Sequence, residues 1–118
     1  MLRWVLWAAR HAAAPLAHLA IVGDGELAVP LRAQAADLGL RRVHFTGFRA
    51  DIPAVLRSLD VFALTSHLEG LGSSVADAML RALPVVATRA GGLPELVEDG
   101  VTGLLAGVRD VPAVAAAL

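Results

Sequence analysis

Two carboxylates flank a glycine-bounded loop in "HLEGLGSSVADAML", residues 67–80: Glu69 stands just before Gly70, and Asp77 follows eight residues later. An ionised carboxylate only accepts hydrogen bonds, so each acid suits a partner rich in hydroxyl donors, such as a sugar or a vicinal diol. Gly70 and Gly72 have no Cβ and let a ligand approach the backbone closely. If a helix starts near Ser73, its first N–H groups lack intrahelical partners and its dipole favours an anion. A diphosphate suits that position. The same residues also have a purely structural reading. "SVAD", residues 74–77, has the form of a capping box, with Ser74 as N-cap and Asp77 at the third helical position. Glu69 is then a solvated loop acid. Spacing alone leaves both readings open.

The elements that must hold this loop alternate along the chain. Short apolar runs at 18–23, 60–66, 84–88 and 102–106, and an alternating stretch at 42–47, read as strands. Between them lie helical patterns at 2–13, 26–40, 51–59, 73–83, 93–100 and from 110 onward. Asp51 is the expected N-cap of its helix, with Pro53 in the first turn. Gly39 is a helix stop, and Pro30 fits only in a first turn. Strand and helix in this rhythm predict an α/β fold, a Rossmann-like parallel sheet flanked by helices. The strands read as uniformly apolar, which predicts helices on both faces. In such sheets ligands bind beyond the C-terminal ends of the strands. The loops to watch are therefore 23–26, 47–51, 66–73 and 88–93.

Composition limits the function classes. The chain has 118 residues, 57% hydrophobic and 18% charged, and carries a net charge of -1. That balance excludes a disordered chain and gives no bulk attraction to nucleic acid. Every cation is Arg, and there is no Lys and no Cys, so neither a disulfide framework nor a thiolate metal site is available. The four histidines are scattered without ligand spacing. The apolar run near the N-terminus is closed by Arg10 and His11, too early for a signal peptide, and no stretch is long enough to span a membrane.

The segment from "VGDGELAVPLRAQAADLGL" through "HFTGFRAD", "HLEGLGSSVAD", "PVVAT" and "GGLPELVEDG" to "TGLLAG" resembles the C-terminal domain of retaining GT-B glycosyltransferases, the family called group 1 or GT4. The likeness covers about residues 19–118 in the family's order. It implies a nucleotide-diphosphate sugar as donor substrate, with no separate cofactor and no metal. It implies that Glu69, the expected catalytic acid, contacts the donor sugar. The backbone of Gly70, Leu71, Gly72 and Ser73 is expected to face the diphosphate, and Asp77 to take the ribose hydroxyls. Phe48, Arg49 and Asp51 are expected to border the base, with "AGGLPE" nearby. The family usually has Glu where this chain has Asp77. The acceptor, a glycan, a lipid or a small molecule, is left open. The resemblance also implies a cytoplasmic protein, or one at the inner face of the membrane.

The family's domain normally opens with a central strand and a basic loop, which have no counterpart here; Arg3 and Arg10 fall in the first predicted helix. The expectation is thus a single partial domain over 1–118, the C-terminal half of a GT-B fold lacking its first central strand and its acceptor domain, part of a hexosyltransferase-type enzyme and inactive by itself. Three other readings remain: a non-catalytic nucleotide-sugar-binding domain, a relative of the sugar-nucleotide epimerases, and an NAD-binding domain. The last rests on "GDGELA", residues 23–28, as a G-x-G-x-x-A turn. It lacks the acid that should end the next strand.

Overall fold

The computed structural model describes residues 18–118. The helix predicted at 2–13 lies outside them, as do Arg3 and Arg10. The described elements are β1 Leu19–Val22, α1 Ala28–Asp37, β2 Val43–Gly47, α2 Ile52–Arg57, β3 Phe62–Leu64, α3 Ser73–Met79, β4 Val85–Thr88, α4 Leu93–Leu96, β5 Gly103–Ala106 and α5 Val111–Ala117. All strand pairs are parallel, as the βαβ rhythm predicts.

The predicted single sheet is divided into two sheets. β1 pairs with β2, and β3, β4 and β5 form a second sheet in that order. β1 and β3 share no ladder among the described residues, and between these two the resemblance implies a further strand. The two sheets also have separate cores. Leu31 and Ala35 of α1 pack on Leu19, Ile21, Val43 and Phe45. In the second sheet Val85 and Ala87 of β4 meet Leu56, Val75, Ala78, Leu93 and Val97. Residues of β5 and α5 add a satellite around Ala106 and Val114.

The expectation of helices on both faces holds only for β4, whose four residues are all buried. β1 and β2 alternate between half-buried and exposed positions. The cause is what packs on each strand: β4 is met by Leu56, Val75, Ala78 and Leu93 from several helices, whereas the described helix packed on β1 and β2 is α1. Pro30 sits in the first turn of α1, and Gly39 ends that helix at φ +68°.

α3 stops at Met79, four residues before its predicted end. Pro84 biases Leu83 away from helical geometry, and the chain turns at Ala82, which has φ +56°. The turn closes with Ala82 N–H on the Met79 carbonyl at 2.9 Å and Leu83 N–H on the Ala78 carbonyl at 3.1 Å. A left-handed conformation costs an L-residue about 1–2 kcal/mol, which glycine escapes at some entropic expense. Ala82→Gly is therefore expected to stabilise the chain by about 0.5–1 kcal/mol in urea unfolding. A loss of stability would contradict this account of the helix end.

Candidate functional site

The loop between β3 and α3 is clamped from below. β3 ends at Leu64 rather than Ser66, so residues 65–72 leave the sheet as loop. The Gly70 carbonyl accepts the Gly92 N–H at 3.0 Å. At Gly91, φ is +51° and a Cβ would lie 1.6 Å from the Glu69 carbonyl oxygen. At Gly72, φ is +68° and a Cβ would come within 2.5 Å of the buried Leu93 side chain. The "AGGLPE" segment after β4 is thus the bed on which the loop rests.

The Glu69 carboxylate is half-buried and held at both oxygens. Oε2 accepts from the Ser66 hydroxyl at 3.0 Å, and Oε1 from the Gly70 N–H at 3.2 Å. A carboxylate offers about four lone-pair sites, so each oxygen can take one more donor. Two hydroxyls of one ligand can be met in this way. Leu68 and Leu71 are 81% and 87% exposed, so the loop turns its apolar side chains outward.

The capping-box reading of Asp77 is overturned. Gly72 occupies the N-cap of α3, and no side chain caps the helix. With Ser73 as the first helical residue, Asp77 is the fifth. A capping box needs its acid at the third, where the side chain can fold back to the N-cap N–H. Asp77 is exposed, and its carboxylate has no hydrogen-bond partner among the described residues. Its carbonyl accepts from the Arg81 guanidinium at 2.9 Å.

Phe48, Arg49 and Asp51 follow β2. Phe48 is 79% exposed. Arg49 donates from Nε to Asp51 Oδ1 at 2.7 Å and from Nη2 to Oδ2 at 2.6 Å. These hydrogen bonds, with the guanidinium charge, hold the Asp51 carboxyl below the usual carboxylate range and raise Arg49 in turn. Asp51 does sit at the N-cap position of α2, yet its side chain makes no cap bond. Its two oxygens face the arginine instead, in a two-point, charge-assisted contact. Among the described residues, no hydrogen bond or ion pair joins these three to loop 66–72. The structure therefore gathers Glu69, Gly70, Leu71, Gly72 and Ser73 into one clamped loop, with Asp77 one turn beyond. The base-side residues form a second, separate group.

Sequence reasoning missed Ser66, Thr88 and the clamping role of Gly91 and Gly92. Ser66 reads as the end of a strand, although a hydroxyl residue at the C-terminal end of a parallel strand is itself a signal. The dinucleotide turn finds no support in the geometry, because Gly25 lies three residues ahead of α1, with Leu27 at the N-cap. Among the described residues no three His, Cys, Asp or Glu side chains gather as a metal site would require, and no helix is long and apolar enough to cross a membrane.

Residues 1–118 match the family described as Glycosyl transferases group 1. A GDP-mannose-dependent alpha-(1-6)-phosphatidylinositol monomannoside mannosyltransferase of Mycolicibacterium smegmatis is 41% identical over 110 residues, 85% of this chain and 29% of that protein. Among solved structures, Anabaena Alr3699/HepE in complex with UDP-glucose superposes with a TM-score of 0.89 at 39% identity, over 95% of this chain and 32% of the other. The C-terminal domain of a group 1 family protein, LpcC of Francisella tularensis, gives 0.85 at 27% identity, over 97% and 64%. The chain spans less than a third of the length of the curated relatives it matches. By family match, identity and fold together, this chain belongs to the group 1 glycosyl transferases and has the fold of their C-terminal domain.

Proposed function

We propose that this chain binds a nucleotide-diphosphate sugar and supplies the donor side of a retaining glycosyltransferase, with the acceptor side contributed by residues beyond this chain. The observation that carries the reading is the Glu69 carboxylate, fixed in a clamped loop beyond the C-terminal end of β3, each oxygen accepting one bond from the described residues and having lone-pair capacity for another. The similarity to a protein crystallised with UDP-glucose supports it. In this reading Glu69 accepts the sugar hydroxyls. The backbone from Gly70 to Ser73 faces the diphosphate, Asp77 takes the ribose diol, and Phe48, Arg49 and Asp51 border the base. The proposed donor site uses no metal, and a glycan, a lipid or a small molecule receives the sugar. Work at a cytoplasmic membrane face would suit a lipid acceptor.

The test is titration of the chain with UDP-glucose, UDP and GDP-mannose, comparing the parent with Asp77→Asn. A charged acceptor lost to a diol should weaken all nucleotides with an intact ribose by about 1–3 kcal/mol. Thermal stability should not change, because Asp77 caps nothing. A 2′,3′-dideoxy nucleotide should bind both forms equally. Equal affinity of parent and variant for UDP would remove Asp77 from the site.

A further inference from the structure

Ser66 and Thr88 are the two buried polar side chains among the described residues, 8% and 2% exposed. They are bonded in series. The Thr88 hydroxyl donates to the Ser66 carbonyl, and the Ser66 hydroxyl donates to Glu69 Oε2 at 3.0 Å. Chain geometry explains the first link. β3 pairs with β4 as far as Leu64 opposite Ala87. Beyond that the ladder stops and the chain turns away, so the Ser66 carbonyl is buried without a ladder donor. An unmet buried carbonyl is costly, and Thr88, the last residue of the buried central strand, meets it from its side chain. Ser66 is thereby fixed in backbone and orientation, and its single hydroxyl proton is aimed at the carboxylate.

We infer that Ser66 and Thr88 are positioning residues that hold Glu69 in one rotamer, so that its two open acceptor sites face the donor sugar before any ligand arrives. The inference rests on the nucleotide-sugar reading of the loop. A free glutamate side chain samples many rotamers and loses that freedom on binding. One already ordered by its own fold avoids much of that cost. The rigid part of the relay is β4, so the sheet itself sets where the carboxylate points. The Gly70 N–H on Oε1 completes the hold from the other side.

The relay can be read without ligand. Three-bond couplings across the Glu69 side chain should report one rotamer in the parent. They should report averaging in Ser66→Ala and Thr88→Val, with order restored in Thr88→Ser, which keeps the hydroxyl. With ligand, the ratio of UDP-glucose to UDP affinity should fall roughly tenfold in Ser66→Ala, the cost of ordering one freed glutamate side chain on binding. UDP affinity itself should hold. A single Glu69 rotamer persisting in Ser66→Ala would overturn the inference, as would UDP and UDP-glucose weakening in step. An ordered Glu69 in a parent that does not prefer UDP-glucose to UDP would support the relay and overturn the nucleotide-sugar reading, which keeps the two failures apart.

Discussion

Gly91→Ala should destabilise the chain by about 3 kcal/mol or more, measured by urea or thermal unfolding. The added Cβ would fall 1.6 Å from the Glu69 carbonyl oxygen, far inside contact distance, at a φ of +51° that alanine already adopts at a penalty. A flexible side-chain tip could swing away; a backbone carbonyl cannot without carrying its loop along. The Gly92 N–H bond to Gly70, one residue further, ties the same two segments together and resists the shift. The loop that must move is the one holding Glu69, so the variant should lose binding of UDP-glucose along with stability. Gly25→Ala is the matched control. Nothing lies within 4 Å of the place its methyl group would take and its φ is ordinary, so its stability should change by less than about 1 kcal/mol. Equal behaviour of the two variants would mean that residues 90–92 do not support the loop.

Glu69→Gln should weaken UDP-glucose by roughly ten- to a hundredfold, about 1.5–3 kcal/mol, and leave UDP almost untouched. The shape is preserved, but one acceptor oxygen becomes an NH2 donor. In the parent both oxygens face donors, the Ser66 hydroxyl and the Gly70 N–H. The amide can satisfy only one of them with its oxygen, and it has fewer lone pairs left for a sugar. Unfolding stability should change little, since the serine hydroxyl can rotate. Calorimetry with both ligands on both proteins separates the outcomes. If UDP weakens as much as UDP-glucose, Glu69 does not face the sugar.

Much of this architecture was legible in the amino-acid sequence because apolar runs and glycine stops are local signals. "PVVAT" became β4 to within one residue at its start, and Gly39 ended α1 as expected. The start of α3 was not legible. Ser74 with Asp77 has the spacing of a cap, while Gly72, the true N-cap, carries no side chain, and the residue whose position excludes a Cβ there, Leu93, is twenty-one residues away. The end of α3 failed for a related reason, since an alanine rather than a glycine takes the left-handed turn at residue 82. The acids of the loop were found from their type and spacing. What fixes Glu69 was not, because Thr88 reaches Ser66 from another strand, and no window along the chain contains both.

The division of the strands into two sheets bears on cooperativity. The core beneath β1 and β2 shares no residue with the core around β4 among the described elements, and cooperative opening follows shared burial. Amide protons of Leu19–Val22 and Val43–Gly47 are therefore expected to exchange with solvent through an opening that leaves Val85–Thr88 closed. Phe48 directly follows β2 of the first unit, Asp51 sits at the start of α2, whose Leu56 packs in the second, and Glu69 follows β3 of the second. A nucleotide that touches both units would couple two otherwise independent openings, and its binding would slow exchange in both sheets together.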